Sequence, residues 1–278
     1  MAGYLSSVQD QRRSGALLNM SNRRRTRGAH ANSAGTADTH PKSPVEITYT
    51  NTRCMALQPE ILVRNLVVSG DGHDPITSAY KMLRTQVLQR MSANNWNVLA
   101  ITSPGGQEGK TLTALNLAIG MAREVNHTVL LVELDLRQPT LHRYLGCQPE
   151  QGITDYLLRD VPISDIMFNP GIERLVIIPA GRPTTFSSEL LSSPRMVELV
   201  NELKARYPSR LVLFDVPPLL AADDGLAFLP YVDAALLVVV EGETSLEDIE
   251  LAKEMLASTP ILGAVLNRAS IQIKSDTY

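Results

Sequence analysis

Six short runs built almost wholly from Val, Ile, Leu and Ala punctuate this chain: 98–102 (VLAIT), 128–134 (TVLLVEL), 174–180 (RLVIIPA), 211–216 (LVLFDV), 234–240 (AALLVVV) and 261–267 (ILGAVLN). A strand with one wet face alternates apolar and polar residues; these runs do not, so each needs an apolar layer on both sides. Helix-compatible segments separate them, at 109–125, 139–145, 152–159, 162–168 and 188–206. Ahead of the first run, Tyr80, Leu83, Val87 and Met91 recur at helical spacing over 74–92, with Asp74 or Thr77 placed to cap the start. Residues 60–72 read as a short strand-like segment. The alternation predicts an α/β fold, a mostly parallel sheet flanked by helices on both faces.

Charge divides the chain unevenly. Residues 1–45 carry seven basic and two acidic side chains, a net of +5, while the whole chain is at −3, which leaves −8 for the rest. The N-terminal stretch is rich in Arg, Ser, Asn and Gly without apolar periodicity. Residues 1–59 are therefore read as a basic, largely disordered arm, and 60–278 as one domain. The arm is either a solvated tail or a contact for acidic lipid or an acidic partner surface. Basic residues cluster only there and without interleaved aromatics, so nucleic-acid binding is not expected. Two distant cysteines, Cys54 and Cys147, support no disulfide framework. No window reaches the ~18 apolar residues of a spanning helix, and the start is too polar for a secretory signal. A cytoplasmic protein is expected.

The first apolar run leads directly into SPGGQEGKT at 103–111, and a helix-compatible segment follows. Backbone N–H groups of a tight glycine-rich turn at a helix start converge on phosphate oxygens. Gly105, Gly106 and Gly109 let that backbone approach. Lys110 adds charge at the β/γ-phosphates, and the Thr111 hydroxyl is a ligand for Mg²⁺. The strict G-x-x-x-x-G-K-[ST] form fails at one place, since Pro104 holds the first glycine position. The fold class expected is thus that of a P-loop NTPase.

Two further strand ends carry acids. Asp215 closes an apolar strand and is followed by Val216, Pro217 and Pro218. A carboxylate at the C-terminal edge of a parallel strand lies in the ligand crevice, where it can hold Mg²⁺ directly or through water. Glu133 and Asp135 leave another strand at alternate positions, with Arg137 two further on. Side chains at i and i+2 point the same way off a strand, so both acids are expected to face one site, as metal ligand and proton acceptor.

These three elements, in this order and spacing, resemble the bacterial tyrosine kinases of capsular and exopolysaccharide synthesis, which carry a P-loop, an apolar strand followed by Asp-x-Asp-x-Arg-Pro, and an Asp-x-Pro-Pro motif. PAGRPTTFSSELLSS at 179–193, ARYPSRLVLFDVPPLL at 205–220 and ILGAVLNRA at 261–269 extend the likeness over roughly 74–270. The wording at 205–220 is most similar to the exosortase-associated subgroup. The resemblance implies an ATP- and Mg²⁺-dependent protein-tyrosine autokinase that regulates exopolysaccharide synthesis and export. It gives Lys110, Glu133 and Asp135 catalytic roles, and Thr111, Asp135 and Asp215 metal roles. Asn267 is implied as a contact to the nucleotide base, although its position alone suits a strand-end cap. Tyr278, the last residue, stands where the family has its acceptor tyrosines. The implied partner is a membrane polysaccharide co-polymerase supplied in trans, which would recruit the chain to the inner face of the membrane; a homo-oligomer is also implied.

The sequence departs from the family at several points. Glu133 replaces the usual Asp and moves its oxygen by about an ångström, where small displacements at a reacting centre cost about 10²-fold in rate. Gln107 stands at a common loop glycine, and Ser78, Lys81 and Arg84 stand where the family has Glu-x-x-Arg-x-x-Arg for subunit contacts. The alternative reading is a non-catalytic or weakly hydrolysing nucleotide switch in a polysaccharide assembly. Division-site ATPases carry a lysine five residues before the P-loop lysine; here that residue is Gly105.

Overall fold

The computed structural model describes residues 52–270, apart from 56, 69–73, 125–126, 207–209 and 222. The basic arm up to 51 and Tyr278 lie outside the described residues. In chain order the elements are β1 (Arg53–Cys54), α1 (Pro59–Arg64), α2 (Pro75–Ala93), β2 (Val98–Thr102), α3 (Lys110–Ala122), β3 (Thr128–Glu133), α4 (Leu141–Leu145), α5 (Ile153–Arg159) and α6 (Ile163–Ile166). They continue with β4 (Phe168–Asn169), β5 (Leu175–Ile178), α7 (Ser187–Leu191), α8 (Pro194–Arg206), β6 (Arg210–Asp215), α9 (Asp224–Phe228), β7 (Ala234–Val240), α10 (Leu246–Met255) and β8 (Ile261–Asn267).

The eight strands of the described residues form one sheet, ordered β1-β4-β5-β3-β6-β2-β7-β8. Every pairing is parallel except that of β4 with β5. Six strands are those expected from the apolar runs. Five of them build two separate layers of core with their two faces, while the edge strand β8 adds Leu262 to one layer and leaves Ile261 and Leu266 exposed, contrary to the expectation of a layer on both sides. Val98, Ala100, Val132, Val212 and Phe214 pack under α5, α7, α8, α9 and α10. Their neighbours Leu99, Ile101, Leu131 and Leu213 face the other way, into α2, α3 and α4. This two-sided burial is why the runs lack polar alternation. The register then sets the site: Asp215 lies level with Ile101 on one side and with Glu133 on the other, so the ends of β2, β6 and β3 meet at one edge.

Asp74 caps α2, its carboxylate accepting the Thr77 N–H at 2.9 Å. Three local expectations are corrected. Residues 60–72 do not start as a strand: Pro59, at the first helical turn, pre-sets φ for α1, which buries Leu62 and leaves Val63 exposed. The helix expected over 162–168 stops at Ile166, and Phe168–Asn169 instead pair with β5 and β1. The helix expected over 188–206 is two helices, because Pro194 cannot continue the turn before it and opens α8 instead. Strand β1 extends the sheet to Arg53, ahead of residue 60.

Helix α5 crosses the end of β5 at backbone contact. Ile153 N–H donates to Pro179 O at 2.8 Å, and Thr154 N–H to Ala180 O at 3.1 Å. A Cβ on Gly152 would lie 2.3 Å from Gly181 N and 2.4 Å from Pro179 O. Backbone on both sides cannot give way, so Gly152→Ala is expected to destabilise by about 3 kcal/mol. The check is a lower urea midpoint at unchanged m-value.

Candidate active site

The loop between β2 and α3 begins where Thr102 ends the buried strand. Its turn closes on Gly109, at φ 88°. A Cβ there would also sit 2.2 Å from the Asn267 side-chain nitrogen, so glycine is required by both backbone and neighbour. Gln107 stands at φ 62°, a left-handed conformation that costs a residue with a Cβ about 1 kcal/mol. That backbone angle accounts for a glycine being common at this loop position. Gly105 and Gly106 lie in the preceding bend, and α3 starts at Lys110.

Lys110 is buried, with its ammonium 2.9 Å from Asp135 Oδ2 and 3.6 Å from Asp215 Oδ1. Burial works against its charge, but Asp215 and Asp135 more than compensate, and its pKa is raised. Asp135 is fixed from its other oxygen, which accepts the Gln138 N–H at 3.0 Å. Asp215 is wholly buried, and neither of its oxygens has a hydrogen-bond partner among the described residues. Its pKa is raised by that burial, with Lys110 opposing. An orphaned buried carboxylate is expensive unless something completes it. The Thr111 hydroxyl stands at the same helix start, 3.4 Å from the Lys110 ammonium. The oxygens of Thr111, Asp135 and Asp215 therefore fit a divalent cation whose other ligands are phosphate and water oxygens, the usual way magnesium is held.

Glu133 and Asp135 do not face one point. β3 ends at Glu133 and the chain turns at once, with Leu136 N–H donating to Leu134 O, so the strand rule for i and i+2 no longer applies. Asp135 turns to Lys110. Glu133, 1% exposed, accepts the N–H groups of Thr140 and Leu141 on Oε1, both at 2.7 Å, and that of Ala180 on Oε2 at 3.0 Å. Burial pushes its pKa up to about 7 although these amides pull it down. The extra methylene relative to Asp lets the carboxylate tie β3, the start of α4 and the end of β5 together. Thr140 then donates its hydroxyl to that of Thr111 at 3.3 Å. Asn267 is tied to the phosphate loop: its Nδ2 donates to Glu108 O at 2.8 Å.

The matched family model is that of an AAA domain, over residues 96–251. The tyrosine-protein kinase YwqD of Bacillus subtilis (strain 168) is 31% identical over 215 residues, which cover 77% of this chain and 90% of that protein. The chain belongs to the bacterial tyrosine kinases of capsular and exopolysaccharide synthesis. The kinase domain of the Escherichia coli tyrosine kinase ETK superposes with a TM-score of 0.66 at 26% identity, over 83% of this chain and 88% of that one. The septum site-determining protein MinD of Pyrococcus horikoshii, complexed with Mg-ADP, gives 0.52 at 26% identity, over 63% and 71%. Some relatives are longer: this kinase spans 32% of the tyrosine-protein kinase ptk of Acinetobacter johnsonii.

Motif reading marks Arg137 without showing its partner, and it passes over Thr140 and Glu108. Arg137 makes a bidentate pair with Asp224, 2.7 Å and 3.2 Å, joining the Asp135 turn to the start of α9. Thr140 joins Glu133 to Thr111, and Glu108 joins Gly105 to Thr244. Nothing local marks those two. Among the described residues no helix is long and apolar enough to cross a membrane.

Glu133→Gln keeps the volume but sets a new N–H₂ against backbone N–H donors. It is expected to lower stability by about 2 kcal/mol, measured as a fall in the urea midpoint of the full chain.

Proposed function

We propose that this kinase transfers the γ-phosphoryl group of ATP to tyrosine hydroxyls, in itself and in partners, and thereby regulates exopolysaccharide synthesis and export. The observation that supports this best is the buried Lys110–Asp135–Asp215 cluster at the head of α3, where Asp215 pairs with Lys110 at 3.6 Å but accepts no hydrogen bond among the described residues. Backbone N–H groups over Gly106–Thr111 bind the phosphates, with the Gly105 N–H held by Glu108, and Lys110 neutralises charge on the β- and γ-phosphoryl oxygens. Thr111 and Asp215 hold Mg²⁺, which when bound supplies further charge neutralisation. Asp135, the acid that reaches into the cluster, accepts the proton of the attacking tyrosine. Glu133 holds α4 and the end of β5 around the site. Asn267 supports the phosphate loop and Tyr278 serves as an acceptor. The kinase works at the inner face of the membrane beside a separate polysaccharide co-polymerase, with the basic arm as an appendage outside the domain.

Incubation of the full chain with labelled ATP and Mg²⁺, with and without the co-polymerase's cytoplasmic segment, tests this reading. Phosphotyrosine is expected on the wild type, with mass spectrometry locating it at Tyr278. Lys110→Met and Asp135→Asn are expected to lose at least about 100-fold of the label, the scale of removing a charge-stabilising or proton-accepting group. Glu133, committed to three amides, favours the second reading, a nucleotide switch. Binding or hydrolysis of ATP without phosphotyrosine in either condition establishes that one instead.

A further inference from the structure

The phosphate loop is held in shape by side chains from outside it. The carboxylate of Glu108 is buried within the loop, and its Oε2 accepts the Gly105 N–H at 3.2 Å. Its Oε1 accepts the hydroxyl of Thr244, in the turn between β7 and α10, at 2.6 Å. That hydroxyl in turn accepts the Val240 N–H at 2.8 Å, so both its hydrogen-bonding functions are used and its direction is set. Two loop carbonyls are tied from the end of β8: Asn267 Nδ2 donates to Glu108 O and Arg268 Nη2 to Gln107 O, each at 2.8 Å.

The loop needs such support. Gln107 and Gly109 are both left-handed, at φ 62° and 88°, and a strained segment persists only where its surroundings over-determine it. A carboxylate is also an unfavourable neighbour for a polyphosphate. A carboxylate inside this loop is therefore best explained by what it positions.

We propose that Glu108 and Thr244 are positioning residues for nucleotide binding. Their hydrogen bond braces the loop against the β7–α10 turn and keeps its N–H groups aimed at the phosphates. Both act through the loop backbone, without touching nucleotide. The proposal rests on the ATP-binding reading above.

Equilibrium titration of the full chain with a fluorescent ATP analogue and Mg²⁺ tests it. Thr244→Val removes the hydroxyl at nearly constant volume and is expected to weaken binding about tenfold, the worth of one charge-assisted hydrogen bond. Thr244→Ser restores the donor and is expected to stay within about twofold of wild type. In a Glu108→Ala background, adding Thr244→Val is expected to cost less than about twofold more, because the bond is already gone. In turnover, the KM for ATP should rise about tenfold with kcat within about threefold, a split that simple loss of folded protein would not produce. Should Thr244→Val not fold, Thr244→Ala is read by the same criteria. Binding by Thr244→Val within twofold of wild type overturns the brace, as does an equal loss in Thr244→Ser or in the Glu108→Ala background. A wild type that binds no ATP overturns the functional reading and the brace with it, whereas a binding wild type with unaffected variants removes the brace alone.

Discussion

A buried ammonium between two carboxylates organises this molecule. Lys110 lies 2.9 Å from Asp135 and 3.6 Å from Asp215 in a region closed to solvent. Three charges in one buried place demand a rigid surround, since each loses hydration and is offset only by well-placed partners. The sheet supplies that surround. Asp215 is carried on the central strand β6, flanked by β2 and β3, and its depth follows from strands buried on both faces. The net charge of the trio is −1, with one carboxylate left without hydrogen bonds. That imbalance suits a site completed by a cation and its phosphate ligands.

Around this centre the chain uses acids in three different ways. Asp135 and Asp215 face the lysine. Glu133, one residue level with Asp215 across the ladder, is spent on three backbone amides and holds the walls together. Glu108 is spent on a loop amide and a hydroxyl from a distant turn. The same side-chain chemistry therefore serves charge balance in one place and backbone positioning in the others, and only the available donors separate the roles.

Much of the fold was legible because it rests on local regularities. The bounds of β2, β7 and β8 coincide with their apolar runs; for β2 and β7 the cause is burial on both faces, whereas β8 is an edge strand with Ile261 and Leu266 exposed. The phosphate loop was legible too, as its glycines answer to backbone conformation. What misled were places where distant partners decide. Phe168–Asn169 is a strand only because β1 and β5 lie beside it. Glu133 and Asp135 seemed to share a face because the strand was read past its last residue.

By itself, the sequence determined the α/β class, the order of most elements, and the phosphate-loop motif with acids at the neighbouring strand ends. These follow from patterns of hydrophobicity and backbone freedom that operate over a few residues. The tertiary structure alone decided which acid meets Lys110, which acid holds the walls, and what supports Gln107 in a left-handed turn. Those outcomes depend on hydrogen-bond donors brought in from up to 161 residues away, and a donor's arrival is a property of strand order and register.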